Sequence, residues 1–346
     1  MNLKMTNKIP NHFILIDRCA EETRIVEILN KKILKIISWF DNNPSIVGNT
    51  YDAVIIKILH GGIVRARLQN GTIVSVRGVP KSIKVNSLVK IIIMSDKFDD
   101  KPIQAKLLVP NSEFEEKLSS LDQIQKIIFL YFTVGIPVVE DEYAIFWHQL
   151  DLDQCFLEAL QPRVDIKNGG LIWIEKTKAA TLIDIDTQKL IINTDEDMFD
   201  FCRKAYARCL EEIKLRNIGG MILIDFPRMS AAKKKLLHQK IIEIGKKYFI
   251  DGSFLGFSKL LLYEIYIPRN ITLLENFYKN IDELNFQNHL RSLWRTSIKI
   301  KSKTKVKFIC GNSLYKKIIK RKYPPFVEII PRNDLPNNYG ELSETN

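Results

Sequence analysis

Asp184 and Asp186 stand one residue apart in "TLIDIDTQK", and Asp225 closes a second apolar run in "GGMILIDF". Acids side by side on a strand repel, and strands disfavour Asp in any case, so the arrangement calls for a compensating charge. Carboxylate oxygens gathered at strand ends suit a hard divalent cation, Mg²⁺ first and Mn²⁺ as an alternative. The chemistry on offer is then that of a metal-bound, activated water. The bland alternative is that strand-end acids only cap loops. Neither His148 nor His238 lies in such a constellation, so a histidine acid–base pair is not indicated.

The elements that must position these acids are legible from periodicity. Thr181–Asp186 alternates as a half-buried strand does, which puts Asp184 and Asp186 on one face. "GLIWIEKT", "ATLIDID", "MILIDF" and "KLLLYEIYI" read as strands. Between them, "DEDMFDFCRKAYARCLEEIKLRN", closed by Gly219–Gly220, and "SAAKKKLLHQKIIEIGKKY" read as helices. Asp225 thus ends the strand that follows a strand–helix–strand connection. Upstream, "YDAVIIKIL", "GGIVRARL", "GTIVSVRGV", "SLVKIIIMSDKF" and "PIQAKLLV" are five short strands. They predict a small closed barrel of the OB type, with Lys57, Arg65, Arg67 and Arg77 facing outward. Residues 13–40 read as a strand, a charged turn and an apolar segment, ending at the polar break "DNNPSIVGN". Residues 111–165 read as helical and then extended. "SSLDQIQKIIFLYF" opens there with a Ser-x-x-Asp cap, and "DLDQCFLEALQP" stops at Pro162.

Charge is distributed unevenly. The 52 Lys and Arg exceed the 40 Asp and Glu by 12, and twelve cations lie between Arg291 and Lys322 with no acid among them. The excess is concentrated as a polyanion-binding surface would be. In "SIKIKSKTKVKF" the lysines alternate with apolar and small residues, so an edge strand kept soluble by Lys is the other reading. Five cysteines without a CxxC pair argue for reduced thiols and no structural zinc. No secretory signal is visible, and the longest apolar run, Ile127–Val139, falls short of the ~20 residues that span a bilayer. The expectation is a soluble, cytoplasmic protein without a membrane partner.

"LIDID" followed by "LRNIGGMILIDF" resembles the catalytic core of the ribonuclease E/G family, and "LGFSKLLLYEIYIPR" and "VDIKNGGLIWIEKTKAATLID" are similar to its flanking motifs. The N-terminal "ILIDRCAEETRIVEI" and "VGNTYDAVIIKI" resemble its opening strands. The resemblance implies an α+β, α/β multidomain chain. Its parts are an RNase H-like scaffold over residues 1–45 and 111–165, an inserted OB-fold barrel over 46–110, a DNase I-like catalytic subdomain over 166–290 and a basic extension over 291–346. It implies Asp184 and Asp225 as catalytic metal ligands, and Asp186, in the place of an orienting Asn, as a third catalytic acid and metal ligand. It implies RNA contacts at Lys101, Arg216, Lys259 and Arg269, to which the charge reading adds Lys299, Lys301, Lys303, Lys305 and Lys307. The activity implied is Mg²⁺-dependent cleavage of single-stranded, AU-rich RNA to 5′-phosphate and 3′-hydroxyl ends, in processing or decay of rRNA or mRNA. A catalytically silent RNA-binding or ribosome-associated protein is the alternative.

The departures are as specific. The stretch between barrel and catalytic strands is too short for the family's 5′-phosphate sensor, and its "CPxCxG" zinc link is absent, so a monomer or weak dimer is expected in place of a zinc-linked tetramer. Arg228 stands where the family carries an acid, and Arg67 with Val76 or Arg77 where stacking aromatics are expected.

Overall fold

Two-residue turns at Ala20–Glu21 and Asn30–Lys31, all four residues at positive φ, fold the first strands back on one another. Such turns match the right-handed twist of antiparallel strands. The computed structural model describes residues 9–97, 102–109, 112–167, 169–269, 274, 278, 281–299, 306–321 and 323–344, with the backbone alone at 296–299 and 344. Strands β1 (His12–Cys19), β2 (Glu22–Leu29) and β3 (Lys32–Phe40) run antiparallel. The apolar segment expected after the first turn is therefore two strands.

β4 (Thr50–Ile58), β5 (Val64–Leu68), β6 (Ile73–Arg77), β7 (Leu88–Ser95) and β8 (Gln104–Leu107) close into a barrel of order β4-β5-β6-β8-β7. Its interior is filled by alternate residues such as Ile55, Ala66, Val74, Val76 and Ile93. That architecture is consistent with an OB-like fold. Of the cations expected outside, Lys57, Arg67 and Arg77 are exposed and Arg65 is half-buried. α1 (Glu113–Ser119) and α2 (Gln123–Tyr131) follow. The helix start falls three residues later than Ser-x-x-Asp suggested: Asp122 caps α2 and Gln125 reaches back to it. Then come β9 (Val138–Glu140), parallel to β1, and the short helices α3 (Ile145–Gln149) and α4 (Leu152–Ala159).

The segment that carries the acids is a six-stranded mixed sheet. β10 (Arg163–Asp165), β11 (Leu171–Lys176), β12 (Ala180–Asp186), β13 (Gly220–Asp225), β14 (Ser253–Phe257) and β15 (Tyr263–Ile267) take the order β10-β11-β12-β13-β15-β14. Only β12 and β13 are parallel neighbours, joined through α5 (Asp195–Leu215), and α6 (Ala231–Tyr248) follows β13. Ile183, Ile185, Ile222, Ile224 and Ile265 from the sheet share one core with Cys202, Tyr206, Cys209 and Ile213 of α5 and Leu237 and Ile241 of α6.

The C-terminal elements are α7 (Ile281–Lys299), β16 (Val306–Gly311), α8 (Asn312–Ile318), β17 (Val327–Arg332) and β18 (Gly340–Glu344), the strands in order β17-β16-β18. This corrects the edge strand expected over "SIKIKSKTKVKF": α7 continues to Lys299, and β16 is the middle strand of its sheet. Arg291 and Arg295, four residues apart on α7, both pair with buried Asp17, which a helix allows and a strand of that spacing does not. The chain divides into two compact units, one of Met1–Pro44, Ile136–Leu160 and Leu274–Asn346, the other of Ser45–Gly135 and Gln161–Leu273. Among the described residues no helix is long and apolar enough to cross a membrane.

Candidate active site

β12 buries Thr181, Ile183 and Ile185 and exposes Leu182, Asp184 and Asp186; β13 buries Ile222 and Ile224 and exposes Met221 and Asp225. α5 and α6 cover the isoleucine face, so the acids project from the opposite one. The parallel register sets Asp184 directly beside Asp225. Adjacent strands lie ~4.8 Å apart, and Asp186 follows Asp184 by two residues, or ~6.6 Å, along the same face. The pair sits at the carboxyl ends of two parallel strands, where open α/β sheets place their ligands.

Partial desolvation, then the carboxylates of Asp225, Asp186 and Glu175, push Asp184 above the ordinary aspartate range. Glu175 lies on β11, opposite Leu182 and two pairs along from Asp184, and was not anticipated from sequence. Asp186 is partly committed: its Oδ1 accepts from the Gln188 amide at 2.7 Å, in a turn where Gln188 has φ +50°. Among the described residues no group of three or more His, Cys, Asp and Glu side chains is arranged to hold a metal ion. Asp184 and Asp225 nonetheless fit Mg²⁺. The donors are all hard oxygens, the neighbours that act most strongly on Asp184 are negative, and Mg²⁺ takes one or two carboxylates and completes its shell with water and phosphate.

The basic residues divide. Lys259 is exposed in the turn between β14 and β15, closed by the Ser258 amide donating to the Leu262 carbonyl at 2.8 Å. Because Ile224 pairs with Tyr263, this turn lies at the Asp225 end of the sheet. Arg216 and Arg269 are at the other end. Buried Arg216 donates from Nε to Glu212 at 2.7 Å and from Nη1 to the Gln161 carbonyl at 2.6 Å. Arg269 donates from Nε to the Gly219 carbonyl at 2.8 Å. Gly220 and Asp225 are five residues apart on β13, ~16 Å along the strand, so these arginines secure the α5–β13 connection and do not flank the acids. An RNA contact at either would lie at the opposite sheet end from the acids. The helix before them also ends earlier than expected: α5 stops at Leu215, Asn217 takes the left-handed conformation, and Gly220 already belongs to β13.

Lys101, Lys301, Lys303 and Lys305 lie outside the described residues, as does the side chain of Lys299. Lys307 is half-buried on β16, between Glu328 of β17 and Ser343 of β18. Arg228, three residues after Asp225, is exposed in the connection to α6, where Ser230 caps the helix.

Sequence comparison bears on this sheet most directly. The pattern of the Ribonuclease E/G family matches residues 94–269, more than half of the 346-residue chain. Ribonuclease E of Synechocystis is 42% identical over 81 residues, 23% of this chain and 12% of that protein. Ribonuclease G of Salmonella typhimurium is 32% identical over 119 residues, 33% of this chain and 24% of the relative. Ribonuclease G of Haemophilus influenzae is 34% identical over 121 residues, 34% and 25% of the two chains. The matched segments thus span a quarter or less of these relatives. Since the family pattern runs from the last strands of the barrel through the whole carboxylate sheet to Arg269, the chain belongs to the Ribonuclease E/G family.

Proposed function

We propose that this protein is a Mg²⁺-dependent endoribonuclease for single-stranded RNA, acting in RNA processing or decay. The observation that carries it is the register pairing of Asp184 with Asp225 on the face of the sheet opposite α5 and α6, in a chain of the Ribonuclease E/G family. In this reading the six-stranded sheet with α5 and α6 is a DNase I-like subdomain, the sheet of β1–β3 and β9 an RNase H-like scaffold, and the barrel an RNA-binding OB fold.

Asp184 and Asp225 would hold the cation, which would supply Lewis acidity toward the scissile phosphate and toward a water. Asp184 takes a proton more readily than an isolated aspartate while no cation is bound, so cation and proton compete there. Asp186 shapes the exit of β12 and adds negative potential. Exposed Lys259, at the same sheet end, is placed to meet the RNA backbone. Water attacks phosphorus, the bond to the 3′ oxygen breaks, and that oxygen takes a proton. The products are a 5′-phosphate and a 3′-hydroxyl.

The test is incubation of the pure protein with a fluorescent AU-rich oligonucleotide, with and without Mg²⁺. Mg²⁺-dependent cleavage lost in both Asp184→Asn and Asp225→Asn supports the proposal. Binding without cleavage in any divalent cation would leave an RNA-binding protein in its place. The proposal includes no 5′-phosphate site, so oligonucleotides with 5′-monophosphate and 5′-hydroxyl ends are cleaved at rates within a few-fold. A tenfold preference, ~1.4 kcal/mol of transition-state binding, would show that such a site exists.

A further inference from the structure

We infer that Arg163 and Trp173 form a nucleotide subsite beside the carboxylate pair, the Trp173 indole taking an RNA base and the Arg163 guanidinium an adjoining phosphate; that the ligand is RNA rests on the function proposed above. Three register pairings carry it. Arg163 of β10 is opposite Trp173 of β11, Trp173 is opposite Asp184 of β12, and Asp184 is beside Asp225 of β13. The four residues make one row straight across the sheet, cation, indole, carboxylate, carboxylate, at steps of ~4.8 Å.

All four project from the same face. Their strand neighbours Val164, Ile172, Ile174, Ile183, Ile185 and Ile224 belong to the core under α5 and α6, and alternation sends the row the other way. Trp173 keeps 38% of its surface exposed, a large apolar ring facing water next to an acid. Stacking gives that exposed ring a use, because every base offers a π face. Arg163 is held at 3.0 Å from Asp165 on its own strand, both side chains more than half exposed. A solvated pair of this kind is weak enough to exchange its carboxylate for a phosphate. The order along the row, phosphate contact, base platform, metal-binding acids, is that of a nucleotide laid beside the phosphate to be cut.

Binding in EDTA buffer tests this without requiring cleavage. A labelled oligo(A) of ~10 nucleotides and a backbone of equal length lacking bases are titrated with wild type, Trp173→Ala, Trp173→Phe and Arg163→Gln, with thermal melts to confirm folding. Trp173→Ala is expected to weaken oligo(A) about tenfold and the base-free backbone less than twofold. Trp173→Phe keeps a ring, so it should stay within about threefold of wild type on oligo(A) and lose part of the RNA-dependent quenching of tryptophan fluorescence. Arg163→Gln should weaken both ligands alike. The subsite is refuted if the folded Trp173→Ala protein shifts both ligands equally or shifts neither. A base-dependent loss with no cleavage by wild type in Mg²⁺ would keep the subsite and sink the nuclease reading instead.

Discussion

Asp184 is pushed toward its protonated form by desolvation and by Asp225, Asp186 and Glu175, a balance that a bound cation would reverse. A carboxyl raised above its unfolded value binds more protons in the folded state, so stability falls as pH rises through the window between the two values and stays lower above it. Asp184→Asn removes the repulsion. In EDTA at neutral pH its melting temperature should be above wild type by no more than about 1–2 °C, since the site is exposed, while the stabilisation of wild type by Mg²⁺ should disappear. Mg²⁺ affinity of the wild type should weaken as pH falls through the raised value, which calorimetric titration at several pH values will show. Asp186→Asn should retain cleavage, because an Asn Oδ1 can accept the Gln188 amide as the Asp does. Loss of cleavage in that variant would make Asp186 an obligatory metal ligand.

At the scale of elements, the entry into β13 decides whether Asp225 reaches its register. Gly220 has φ +95°, and a Cβ there would lie 2.5 Å from Nε and Nη2 of Arg269. Gly220→Ala therefore combines a left-handed backbone penalty of about 1–2 kcal/mol with a clash, and should lower stability in urea by about 2–3 kcal/mol. Combining it with Arg269→Ala should recover the clash but not the backbone penalty. Arg216→Ala should cost about 2–4 kcal/mol, because it leaves part of the buried Glu212 carboxylate and the Gln161 carbonyl without their donor. The salt dependence of RNA binding should not change in Arg216→Ala; a shallower slope would return Arg216 to the RNA surface.

On the scale of the molecule, the basic C-terminal stretch is not one uniform surface. Arg291 and Arg295 are buried within the first compact unit, on Asp17, and Arg291 also reaches Glu22. Desolvation opposes ionisation of Glu22, but the guanidiniums of Arg24 and Arg291 and hydrogen bonds from Arg24 and Tyr278 outweigh it and hold the carboxyl at about 2. A lowered acid contributes stability above its unfolded value, near 4.5, and loses it as pH falls from there toward 2. Glu22→Gln should flatten acid unfolding across that window and cost about 3–5 kcal/mol at neutral pH, where two buried guanidiniums lose a charge partner. Neutralising Lys299, Lys301, Lys303, Lys305 and Lys307 to Gln tests the polyanion reading. Each RNA phosphate that no longer meets a lysine should reduce the slope of log K against log[salt] by about 0.7. An unchanged slope would mean that these lysines only solvate the surface.

The alternation of Thr181–Asp186 already placed Asp184 and Asp186 on one face, and the five barrel strands were legible, because a period of two is a local property of a half-buried strand. Asp184 and Asp225 each stood out as candidates, since acids at the ends of apolar runs are costly without a purpose. What the sequence could not contain is register. That Asp225 falls beside Asp184, that Trp173 and Arg163 extend the same row, and that Arg216 and Arg269 lie at the other strand end, are consequences of how β10–β13 and β15 pair. The C-terminal cations show the same limit. Their count implied a polyanion surface, but Arg291 and Arg295 find their acids on β1 and β2, more than 260 residues away in the chain, and a partner at that separation leaves no local pattern to read.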